Sequence, residues 1–91
     1  MDYEEAFKRQ VETMFETTLR DLEAGGREPT PWQAECFIDA LAAMALNSWS
    51  LAEDLLISAR LENVPRKPRF DGVTLAGLRA VLAESMRRRQ E

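Results

Sequence analysis

The stretch from Thr30 to Leu61 most constrains the fold of this chain, because it predicts two helices joined by a very short turn. Thr30 is a favourable N-cap, Pro31 falls at the first helical position, and Gln33 completes a capping box. Apolar residues then recur at steps of three and four, namely Ala34, Phe37, Ile38, Leu41 and Ala45. Asn47 tolerates the left-handed conformation that ends many helices. We therefore expect a helix over residues 31–47.

A second helix is expected over residues 51–62, after a turn at Asn47–Ser48–Trp49. Ser50 and Glu53 have the spacing of another capping box. The apolar residues that follow cover more than one face, namely Leu51, Ala52, Leu55, Leu56, Ile57, Ala59 and Leu61. So wide an apolar arc is typical of a helix covered from two sides. The sequence therefore predicts that this helix lies at the centre of the fold, antiparallel to the preceding one.

The flanking segments predict two more helices. Residues 2–24 carry an apolar stripe without proline or glycine, and Gly25–Gly26 ends it. Residues 74–89 carry another stripe, capped by Thr74, or by Asp71 if the helix starts earlier. No stretch shows the alternation of a strand. The expected fold is all-α: one domain over residues 1–91, a small four-helix bundle or helical array around the central hairpin.

The hairpin also resembles the second half of a tetratricopeptide repeat. The matching residues are Ala40, Asn47, Trp49, Ala52, Leu56 and Ala59. The resemblance covers less than a third of the 91 residues and implies two helices that approach closely through small side chains. The first-helix pattern is absent, because Cys36 and Asp39 stand where the repeat prefers large apolar residues. Two close-packed antiparallel helices explain the same alanines without kinship.

Composition limits the chemistry that the chain can perform. It is 45% hydrophobic and 31% charged, which is typical of a globular domain. Histidine is absent, so the usual general base and the commonest metal ligand are missing. Cys36, the single cysteine, has no such base beside it and is expected to be a buried, inert thiol. We expect no enzyme, no cofactor and no metal.

Location and origin are predicted from the same composition. No apolar run approaches the ~20 residues that a membrane helix needs. The acidic N-terminal residues do not resemble a signal peptide, so a cytoplasmic protein is expected. Arginine outnumbers lysine ten to two, which favours a GC-rich bacterial or phage genome.

Two sets of residues are candidates for contact with a partner. Trp32 and Trp49 lie at opposite ends of the first hairpin helix, either as buried edges of the core or as exposed interface anchors. The second set is basic and consists of Arg66, Lys67 and Arg69 in the last connector with Arg87, Arg88 and Arg89 in the last helix. Residues 1–28 and 29–63 each carry a net charge of −4, whereas residues 64–91 carry +4.

The sequence favours a non-enzymatic protein–protein interaction module, a small regulator, adaptor or inhibitor that binds another protein or itself as a homodimer. The missing catalytic residues, the long apolar stripes and the charge polarity support it. The alternative is a nucleic-acid-binding regulator that uses the basic 66–69 loop and the C-terminal arginines. The pI of about 4.9 and the lack of a basic recognition helix weigh against it. An enzyme using carboxylates alone ranks last, because no acid is expected on an apolar stripe.

Overall fold

A computed structural model describes residues 2–61 and 69–90 of the chain. Within these ranges there are four helices and no strand: α1 (Tyr3–Ala24), α2 (Pro31–Ala45), α3 (Trp49–Ser58) and α4 (Leu75–Gln90). The predicted all-α class is confirmed. None of the helices in the described ranges has the length and apolarity needed to cross a membrane.

Side-chain caps explain where three of the helices begin. The Asp2 carboxylate accepts the backbone N–H of Glu4 at 3.0 Å, at the start of α1. The predicted capping box of α2 is present: the N–H of Gln33 reaches Thr30 Oγ1 at 3.1 Å, and the N–H of Thr30 reaches Gln33 Oε1 at 2.9 Å. Thr74 caps α4 by accepting the N–H of Gly77 at 3.1 Å. These groups satisfy N–H groups that have no partner inside the helix.

The turn of the hairpin lies one residue earlier than predicted. Asn47 has a φ of 61°, the left-handed conformation that its side chain tolerates. The N–H of Ser48 then bonds to the carbonyl oxygen of Ala43 at 2.7 Å, which closes the end of α2. Trp49 is therefore already the first residue of α3. The predicted capping box of Ser50 and Glu53 is wrong, because Ser50 lies inside the helix.

α2 is the more deeply buried of the two hairpin helices. The prediction that α3 would be contacted by α2 and by flanking helices is correct for α2 and α1, but α4 does not cover α3. Eight of the fifteen residues of α2 are buried. It packs against α3 and α4, and the ring of its Phe37 lies 5.2 Å from that of Phe15 in α1. In contrast, α3 buries one face, through Trp49, Ala52 and Leu56. Its other side stays exposed because α4 packs on α1 and α2 instead of covering it.

Small side chains bring the two hairpin helices together. Ala40 of α2 and Ala52 of α3 are completely buried, as is Ala59, which caps the end of α3. This arrangement matches the close antiparallel packing that the alanine spacing indicated. The thiol of Cys36 is buried in the same core, as predicted.

Two ion pairs show how α4 lies along α1. Arg79 near the start of α4 binds Glu23 near the end of α1 at 2.5 Å. Arg89 near the end of α4 binds Glu12 in the middle of α1. The two helices are therefore antiparallel, and the first two turns of α1 extend beyond the end of α4.

Candidate partner-binding groove

An open groove of about 1050 Å³ lies between the N-terminal half of α1 and the C-terminal half of α4. Its floor includes Leu41 and Met44 from the last turns of α2, together with Trp49. Val81 stands on the α4 wall with 54% of its surface exposed. The groove therefore combines an apolar floor with an exposed apolar side chain, in a position that the packing of the four helices leaves open.

Trp49 is held in place at the floor of the groove. It is 6% exposed, and its indole N–H donates to Asn47 Oδ1 at 2.8 Å. The guanidinium of Arg89 lies 4.9 Å from the ring centroid, and Lys8 Nζ lies 5.9 Å from it. Such cations are attracted to the face of an indole ring. Of the two interpretations given to this tryptophan, the structure matches the buried edge of the core.

Charged residues form both rims of the groove, and some of their ion pairs share one carboxylate between two cations. On the α4 rim, Arg87 and Arg88 share the carboxylate of Glu84, at 2.6 and 3.1 Å. The hydrogen bonds from Arg87 first, and then from Arg88, hold the pKa of Glu84 below its ordinary value. The carboxylate of Glu84 is therefore shared between two guanidinium groups on this rim.

The α1 rim is similar. Lys8 pairs with Glu4 at 3.3 Å and with Glu5 at 3.8 Å, and Glu12 is taken by Arg89. Arg9 lines the groove, is exposed, and makes no ion pair with any residue in the described ranges. The two rims therefore each offer one cation, Arg9 and Arg88, that a negatively charged group could approach.

The described members of the predicted basic set, Arg69 and the arginines of α4, lie apart. Arg69 lies beside the first half of α2, where its Nε donates to Glu35 Oε1 at 2.5 Å and its Nη2 to Asp39 Oδ2 at 2.6 Å. Residues 35 and 45 of α2 are about 15 Å apart at 1.5 Å per residue, so Arg69 is well separated from the groove. Arg66 and Lys67 lie outside the described residues.

Glu35 is the residue that sequence reasoning missed. It is 1% exposed, so the expectation that no acid lies on an apolar face is wrong. Hydrogen bonds to Glu35 and then to Asp39 raise the pKa of Arg69 above its ordinary value, so this cation stays charged. A signal was present in the sequence: two acids four residues apart share one helix face, and a basic connector follows later in the chain.

Trp32 also has a structural contact. It is half-buried, and its indole N–H donates to the carbonyl oxygen of Ser58 at 3.3 Å, which ties the start of α2 to the end of α3. Within the described residues, no three Asp, Glu or Cys side chains lie close enough together to hold a metal ion.

Comparison with known proteins gives no relative: no protein-family model, no curated protein and no solved structure matches this chain.

Proposed function

We propose that the chain is a non-enzymatic protein-binding module, a small regulator, adaptor or inhibitor, which takes an amphipathic helix of its partner into the groove between α1, α4 and the end of α2. The exposed Val81 above the apolar floor of Leu41 and Met44 is the observation that carries this proposal. Helix-in-groove binding is a recurring mode of recognition, in which apolar anchors on one helix face enter an apolar groove.

The dimensions of the groove support a helix as the occupant. Two turns of an α-helix are ~11 Å long and ~10 Å wide, so they occupy on the order of 900 Å³. The groove of about 1050 Å³ has room for such a segment. An apolar stripe at steps of three and four residues on the partner would contact Val81 and the floor.

The charges of the rims indicate which helices would bind. Arg9 on one wall and Arg88 on the other favour acidic residues that flank the apolar stripe of the partner. Basic flanks would place like charges against each other and are disfavoured.

The nucleic-acid alternative has weaker support. Of its proposed contact residues, Arg69 is bound by two carboxylates, and Arg87 and Arg88 share a third. A phosphate at Arg69 would have to replace two carboxylates, and Arg69 does not lie on the same surface as Arg87 and Arg88.

The test is affinity capture from a lysate of the source organism, or of its host, with three baits: the natural chain, Val81→Glu and Leu51→Glu. Leu51 on α3 is the matched control, because it is as exposed as Val81 but lies outside the groove. We expect a discrete protein that the natural chain and Leu51→Glu capture and Val81→Glu loses. Capture that is equal with all three baits would refute the groove, and capture that nuclease abolishes would favour nucleic acid.

A further inference from the structure

The outer face of α3 is uncovered and carries three exposed apolar side chains. Leu51, Ile57 and Leu61 are 54%, 49% and 60% exposed. This is the face that the width of the apolar arc predicted to be covered, and no helix in the described ranges covers it. An apolar surface that the fold leaves open is a candidate contact for another molecule.

The face has the spacing of a helix–helix seam. Ser50, Asp54, Ile57 and Leu61 recur at steps of four, three and four residues, and Leu51 lies beside them. Two helices that pack along their length use this repeat, and here Ile57 and Leu61 supply its apolar positions, whereas Ser50 and Asp54 are polar. The N–H of Arg60 bonds to the carbonyl oxygen of Ile57 at 3.1 Å, so the turn continues the helical path past Ser58.

One flank of α3 carries two opposite charges. Glu53 lies in the second turn of α3, and Arg60 lies two residues beyond Ser58, the last residue of the helix. They are seven residues apart, which is almost two full turns, so they lie on the same side of the seam. Neither makes an ion pair within the described ranges, although Arg60 Nη2 lies 3.4 Å from Thr18 Oγ1.

We propose that α3 pairs with α3 of a second copy of this chain, antiparallel across a two-fold axis. A two-fold axis at right angles to both helices makes them antiparallel and places each flank of one α3 beside the same flank of the other. Glu53 of each copy therefore meets Arg60 of the other, and the contact forms twice. An interface between identical surfaces must be self-complementary. The flank with Glu53 and Arg60 is self-complementary, because it carries one charge of each sign.

The same register places the apolar residues against each other. When residues 53 and 60 are opposite, the axis passes between residues 56 and 57, so the two Ile57 side chains meet there. Leu61 of one copy packs near Leu51 of the other. Asp54 comes between Ser58 and Arg60 of the second copy, where a hydroxyl and a guanidinium can donate to its carboxylate.

Sedimentation equilibrium tests the proposal, over about 10 µM to about 1 mM, the range in which small interfaces associate. The natural chain should approach twice its mass of 10.4 kDa as its concentration rises. Ile57→Glu should stay monomeric, because it places two carboxylates at the axis. Val81→Glu is the control: it makes the same change in charge at an exposed residue outside this face, and it should dimerise like the natural chain.

Charge exchange tests the two-fold geometry. Glu53→Arg and Arg60→Glu should each weaken the dimer about tenfold, because like charges then meet at both contacts. An equimolar mixture of the two variants should recover the natural affinity, since both contacts become opposite in sign. Far-UV circular dichroism at low concentration confirms that each variant is folded.

A natural chain that remains a monomer up to the highest concentration overturns the proposal. A dimer that survives Ile57→Glu, or a mixture that fails to recover affinity, overturns it as well. The groove is judged separately, because Val81→Glu alters only capture and Ile57→Glu only the mass.

Discussion

Replacing Leu56 by alanine should destabilise the protein much more than the same substitution at Leu51, five residues earlier on α3. Leu56 is completely buried against the core, whereas half of Leu51 is exposed. Both substitutions remove the same atoms and change the helix propensity by the same small amount. The difference between them therefore reports which side of α3 is buried.

The magnitude follows from the burial of each side chain. A buried Leu→Ala change costs about 2–5 kcal/mol through lost burial and a residual cavity, and we expect about 3 kcal/mol for Leu56. Leu51 leaves no enclosed cavity and loses at most half of a burial worth about 2 kcal/mol, so its cost is about 1 kcal/mol or less. A domain of this size has roughly 5–10 kcal/mol of stability, so both variants should remain folded.

Urea unfolding followed by far-UV circular dichroism measures the difference. With a slope near 1 kcal/mol per molar urea, the two midpoints should lie about 2 M apart. The protein must be dilute, because association through α3 would stabilise the folded chain and would increase the loss of stability measured for Leu51→Ala. Equal losses in dilute solution would mean that α3 is covered on both sides within one chain and would refute the one-sided packing described above.

Three further predictions follow from single residues. Asn47→Val should lower the stability by about 1 kcal/mol or more, because a β-branched residue is strained at a positive φ, while Asn47→Gly should be nearly neutral in the same urea assay. The pKa of Glu84, measured by NMR, should lie below its ordinary value of 4.5 and should rise in Arg87→Gln. The lowered value means that this carboxylate stabilises the fold above its unfolded pKa and loses that effect as the pH falls through its folded pKa. Arg69→Met should lower the urea midpoint more than Glu35→Met. Removing Arg69 leaves the buried carboxylate of Glu35 with one cation fewer, whereas removing Glu35 leaves a guanidinium that water can reach. A larger loss in Glu35→Met would contradict this reasoning.

The local signals of the sequence were accurate where a few neighbouring residues decide the structure. The box of Thr30 and Gln33 and the end of α1 at Gly25 were predicted correctly, and Thr74 is one of the two residues that were predicted as the cap of α4. The capping box predicted at Ser50 and Glu53 is absent, because Asn47, three residues before Ser50, ends α2 and starts the turn earlier. The left-handed Asn47 reverses the chain so sharply that α3 begins before Ser50.

The candidate sites depend on contacts that no local pattern contains. Arg69 meets Glu35 across 34 residues, and Arg89 meets Glu12 across 77. Val81 belongs to the apolar stripe of α4 by its spacing, but the packing of α4 on α1 and α2 leaves it exposed on the groove.

The sequence by itself determined that the chain forms four helices, where α2 and α4 are capped and which residues could enter a core, because spacing and capping act over one or two turns. Only the tertiary structure decided that α2 is more deeply buried than α3, since α4 can pack on either side of the hairpin without changing its own stripe. That choice opens the groove beside Val81 and leaves Leu51, Ile57 and Leu61 exposed on the outer side of α3.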